Sequence, residues 1–183
     1  HVDSLSEECR DSGLYFLNEA KDPNIYCGIN LADEPSKDKV HGLLEKVDSL
    51  KNIYPDKLSF INLLPSHSSD FSTFNDWKGY VNAYLGSDTL QIACFDNYHP
   101  HSQFSIYSPS QNKNYYSNIA YMKHIAGSRP LWAYLRSSEQ FLEEKDSTWQ
   151  DAYIRIGAFA PLAFGAKGII YFCYDCKDRN MIL

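Results

Sequence analysis

Residues 130–136 read Pro-Leu-Trp-Ala-Tyr-Leu-Arg, and the alternation within them decides the fold. Successive side chains of a strand point to opposite faces, so Leu131, Ala133 and Leu135 share one face and Trp132, Tyr134 and Arg136 the other. An aliphatic face suits a covering layer of helices. A face of Trp, Tyr and Arg suits the interior and rim of a parallel sheet curled on itself.

Working outward, the same alternation of elements repeats. Upstream lie a helix at Tyr115 to Ala126 and a strand at Leu90 to Phe95 (LQIACF). Downstream come a helix at Trp149 to Phe164, closed by Gly165, and a strand at Gly168 to Tyr174 (GIIYFCY). Further towards the start are a strand at Leu58 to Leu63 (LSFINL) and a helix from Phe74 to Leu85. Ile25 to Leu31 reads as a strand and Ser36 to Ile53 as a helix, with Ser36 as N-cap and Val40, Leu43, Leu44, Val47 and Leu50 at helical spacing. Leu5 to Ala20 reads as one more helix.

Strands and helices that alternate at roughly 35-residue spacing form parallel sheets with crossover helices. An open doubly wound sheet and a (β/α) barrel both satisfy this pattern. No Gly-rich phosphate loop follows a strand, and polar residues stand there instead. Asp33 and Glu34 follow the first strand, His67 lies beyond the second, and Asp96, Arg136 and Asp175 end the remaining three. Parallel strands bring these ends to one face, where barrel active sites lie. The expectation is an α/β fold, a partial parallel (β/α) barrel of TIM type, with residues 1–183 as one domain of five strands and crossover helices.

Bulk composition narrows the function classes. The chain is 44% hydrophobic and 22% charged, with a net charge of −6 and no basic stripe, which speaks against nucleic acid. No apolar run approaches the roughly 20 residues of a membrane span. Five cysteines include a Cys173/Cys176 pair, but no second pair or His cluster completes a zinc site, so free thiols are expected. No cofactor or resident metal is implied.

The stretches GINLADEPS, INLLPSH, FDNYHP, PLWAYL and AFGAKGIIYFCYD, in that order, resemble the later strands of glycoside hydrolases of the bacterial β-galactosidase-like (β/α)₈-barrel type. The resemblance runs from about Ile25 to Asp175 and implies barrel strands four to eight, so the chain is expected to be a large C-terminal piece. A whole barrel takes about 250 residues, and the open edges would then be covered by the missing part or by a partner chain. Asp33-Glu34-Pro35 looks like the Asn-Glu-Pro of many retaining glycosidases. This implies Glu34 as acid/base and Asp33 as a sugar-binding neighbour. The resemblance further implies a carbohydrate substrate and a periplasmic or extracellular setting. Asn62, Tyr98, Trp132, Tyr134 and Arg136 are the expected substrate-binding residues, with Tyr98, Trp132 and Tyr134 as a stacking platform for sugar rings and Arg136 as a donor to a substrate carboxylate or hydroxyl.

For the second carboxylate, Asp96 ends a strand and is held rigidly, whereas Glu139 lies several residues into a loop. Asp96 is therefore the expected partner, within about 10 Å of Glu34 and at the wider, inverting separation. Two other readings stay open. One is a metal-dependent barrel using Asp33, Glu34 and Asp96; the other is a glycan-binding relative without catalysis.

Overall fold

The computed structural model describes residues 16–17, 28–98, 109–136 and 147–172. Six strands form one sheet: β1 (Phe16–Leu17), β2 (Gly28–Asp33), β3 (Leu58–Leu63), β4 (Ala93–Phe95), β5 (Leu131–Arg136) and β6 (Gly168–Phe172). Their spatial order is their chain order, and every pairing is parallel. The helices are α1 (Val40–Ile53), preceded by a 3-10 turn at Lys37–Lys39, then α2 (Phe74–Leu85), α3 (Pro109–Ala126) and α4 (Ser147–Ala163). The sheet curls into a half-barrel, the α/β architecture expected in its coarser form.

The residues at 14–17 correct one expectation. Phe16–Leu17 pairs with Gly28 and Ile29 as a strand, where a helix was expected across Leu5 to Ala20. Leu14-Tyr15-Phe16-Leu17 is a continuous apolar run, which serves a strand as well as a helix, and the edge of β2 supplies its backbone partner. The rest of that expected helix lies outside the described residues, as do Cys27, Glu139, Cys173 and Asp175.

Two apolar layers confirm the parity of β5. Leu131 and Ala133 join Ile61, Leu63, Ala93 and Phe95 in the layer beneath the helices. That layer packs on Leu43 and Val47 of α1, Trp77, Val81 and Leu85 of α2, and Ile119 and Met122 of α3. On the concave side, Trp132 and Tyr134 pack with Phe60, Ile92 and Cys94. Gly168 makes this possible, because a Cβ there would stand 2.8 Å from the Trp132 ring. On the convex side Gly157 does the same for Leu135, letting α4 approach β5 closely.

The helix α2 is fixed at both ends of its first turns. Thr73 Oγ1 accepts from Asp76 N–H at 3.1 Å and Asp76 Oδ2 accepts from Thr73 N–H at 2.8 Å, a reciprocal cap. Trp77 Nε1 then donates to the Leu64 carbonyl at 2.8 Å, while the Tyr80 hydroxyl accepts from Leu64 N–H at 3.2 Å. Both backbone groups of Leu64, just past the end of β3, are thus satisfied by one helix. This pins the loop that borders the site.

Candidate active site

The geometry begins with a bulge in β2. Asn30 pairs with Phe60 and Asp33 with Asn62, so three steps along β2 match two along β3. Leu31 and Ala32 both pack into the helix layer, while Asn30 and Asp33 keep the register of inward-facing Phe60 and Asn62. Strict alternation would have placed Ala32 inside with Asn30 and Glu34; the extra residue exchanges it for Asp33. Glu34 then adopts φ 46°, a left-handed conformation that costs a non-glycine residue roughly 1–2 kcal/mol. Its N–H still donates to the Asn62 carbonyl at 2.9 Å, which prolongs the ladder past the strand. The Tyr84 hydroxyl donates to the Ser36 carbonyl at 2.7 Å and fixes the segment after it. Bulge and strained residue together aim two consecutive carboxylates at the same strand ends.

Asp96 is held from β4. Its N–H donates to the Leu63 carbonyl at 2.8 Å. Neighbouring Asn97 is buried; its Nδ2 donates to the Tyr115 carbonyl at 3.0 Å and its Oδ1 accepts from Asn118 Nδ2 at 2.9 Å. These bonds tie the end of β4 to α3.

Hydrogen bonding with Asp96 is among the influences on the Glu34 carboxyl, and it lowers its pKa. Glu34, although its residue is exposed at the rim, has a carboxyl partly withdrawn from water. That burial raises its pKa first, the charge of Asp33 adds to it, the bond to Asp96 opposes it, and Asp70 raises it further.

The other expected residues fall into distinct positions. Asn62 is buried and its Nδ2 donates to Asp33 Oδ1 at 2.8 Å. Tyr134 lies within the field of the acidic cluster. Burial pushes its phenol far above the ordinary range, with Cys94, Asp33 and Asp96 adding to the effect, so it remains a hydroxyl donor. Trp132 occupies the concave floor, its ring centroid 5.8 Å from that of Phe60, and joins Tyr134 there. Tyr98 follows Asn97 at the rim, with its ring 6.3 Å from that of Phe172. Arg136 ends β5 opposite Phe172. His67 lies exposed in the loop after β3, and His99 is outside the described residues.

Two residues of this face went unread in the sequence. Phe172 shares the parity of Gly168 and Ile170, so the alternation of GIIYF could have revealed it. Asp70 sits in an irregular loop, where no periodicity marks it. Among the described residues no three His, Cys, Asp or Glu side chains gather in a form suited to a metal ion. No described helix is long and apolar enough to cross a membrane. Cys94 is a free, buried thiol whose burial pushes its pKa up.

Fold and site together define a parallel α/β half-barrel with a carboxyl pair at the C-terminal ends of its strands. Comparison with protein-family models, curated proteins and solved structures gives no match.

Proposed function

We propose that the protein hydrolyses glycosidic bonds, with Glu34 as proton donor and Asp96 as the second carboxyl group. The observation that carries this reading is the placement of Glu34 and Asp96 at the ends of β2 and β4, each tied by its N–H to the end of β3 between them. Burial and the charge of Asp33 favour the proton on Glu34, which suits a general acid. In the retaining route, which needs the two groups about 5–5.5 Å apart, sugar enters between them. Glu34 gives its proton to the glycosidic oxygen as the C–O bond breaks, and the Asp96 carboxylate bonds the anomeric carbon. Water then attacks that carbon, its proton passes to Glu34, and Asp96 leaves as carboxylate.

Polar positions on the concave face support a hydroxylated substrate. Asn30 Oδ1 and Asn62 Oδ1 are buried and accept no hydrogen bond from the described residues, which leaves polar capacity on this face that the protein does not use itself. Tyr134 adds a donor, and Tyr98 with Phe172 offers aromatic faces at the rim. In this reading the half-barrel is part of a closed (β/α)₈ barrel, and further strand–helix units pair with β6.

A panel of 4-nitrophenyl and native-linkage glycosides tests the proposal. Glu34→Gln should lower turnover about 10²–10⁴-fold on poor leaving groups and less on activated ones. Undiminished turnover by the variant, or none by the parent protein on any glycoside, would overturn it.

A further inference from the structure

Beside the Glu34 loop lies a cavity of about 360 Å³ lined by Ser36, Lys37, Asp70, Phe71, Asp76 and Tyr80. Its size falls at the lower end of the roughly 300–1,000 Å³ of small-ligand sites. It opens between the segment that follows β2 and the loop that follows β3, on the same face as the carboxyl pair. Two observations place it beside the turn at Glu34. Ser36 of its lining is two residues away in the chain, and Tyr80 of its wall holds Leu64 N–H just past the end of β3, the strand to which Glu34 N–H is bonded.

We infer that this cavity receives the leaving-group sugar of the substrate, and that it selects a neutral sugar over an anionic one. The inference rests on the glycosidase reading above. Its walls carry what an uncharged, hydroxylated ring needs. Asp70 is exposed and accepts hydrogen bonds, the Lys37 ammonium donates them, and half-buried Phe71 offers an apolar face. Phe71 is itself backed by Tyr80, with ring centroids 5.0 Å apart, so its position is fixed. Lys37 Nζ lies beside α2, 3.7 Å from the place a Cβ on Gly79 would take, an ordinary contact distance. Two carboxylates, Asp70 and Asp76, face one ammonium in the lining, a negative balance that disfavours a uronate or a sulfated ring. Asp76 is engaged with Thr73 N–H, which leaves Asp70 as the acceptor aimed at a ligand. Tyr80 gives its lone pair to Leu64 N–H and holds the wall rather than the sugar.

The test is an amide-NMR titration of the full chain with glucose, galactose, mannose and xylose, and separately with glucuronate. At least one neutral sugar should shift the amides of Lys37, Phe71 and Tyr80, and glucuronate should bind more weakly. Asp70→Asn should weaken neutral-sugar binding about tenfold, as expected for loss of a hydrogen bond to a charged group, and should narrow the gap to glucuronate. Phe71→Ala should weaken both sugars alike. Shifts that map elsewhere, or glucuronate binding as tightly as the neutral sugars, would overturn the inference. Glycoside turnover decides the catalytic reading and this titration decides the cavity, so the two fail separately.

Discussion

Strands β3 and β6 carry the same kinds of residue and meet opposite fates. LSFINL is buried from Ser59 to Leu63, whereas GIIYF is half-covered at its start and exposed at Tyr171 and Phe172. β3 has β2 and β4 on its two sides; among the described residues β6 hydrogen-bonds to β5 alone. The helices repeat the contrast. Trp77 of α2 is 0% exposed, while Phe159 of α4 is 65% exposed, on a stripe with Ile156 and Leu162. Apolar composition thus states what a strand can bury, and the number of neighbours decides what it does bury. The carboxyl pair stands on the well-covered side, where position can be held closely.

The largest effect should come from the covered side. Trp77→Ala removes a fully buried ring and leaves the Leu64 carbonyl without its 2.8 Å donor. A loss of about 3–5 kcal/mol is expected, read from the denaturant midpoint of the full chain. A loss below about 1 kcal/mol would mean that α2 does not anchor this side.

How much of this was legible in the sequence follows the same division. LSFINL and the helix from Phe74 to Leu85 were readable to the residue, because one pattern dominates each. The face assignment of Trp132 and Tyr134 followed from alternation alone. The β2 bulge was not readable, since inserting one residue into GINLAD leaves its composition unchanged and alters only the pairing with Phe60 and Asn62. That single step exchanged Ala32 for Asp33 on the inner face. The strand at Phe16–Leu17 was missed because a short apolar run carries no period of its own. That Glu34 and Asp96 both follow strand ends was legible, but the left-handed turn at Glu34 was not, since no residue type announces it.

A smaller and pH-dependent effect should appear at the rim. The folded chain raises the pKa of Glu34, so it binds that proton more tightly than the unfolded chain. The resulting stability is present below the ordinary glutamate range and is lost as pH rises through the raised value. Relative to the parent protein, Glu34→Gln should therefore gain stability between about pH 4 and pH 7. Denaturation at both pH values checks this, and a relative loss at the higher pH contradicts it.

The smallest effect belongs to the exposed side. Phe159→Ser should change stability by no more than about 0.5 kcal/mol in the isolated chain, because little surface is withdrawn from water there. A loss above about 2 kcal/mol would show that this stripe is covered and would erase the contrast between the two sides.

Carbon-detected NMR titration of the Glu34 and Asp96 carboxyl groups tests the central claim, that these two groups act on each other as one site, most directly. Coupled groups should titrate in two steps, with both carboxyl signals moving in each and Glu34 retaining its proton above the ordinary value of 4.5. Replacing Asp96 by Asn should collapse the curve of Glu34 to a single step. Independent titrations at ordinary carboxylate values, unaffected by that substitution, would contradict the pair and with it the site.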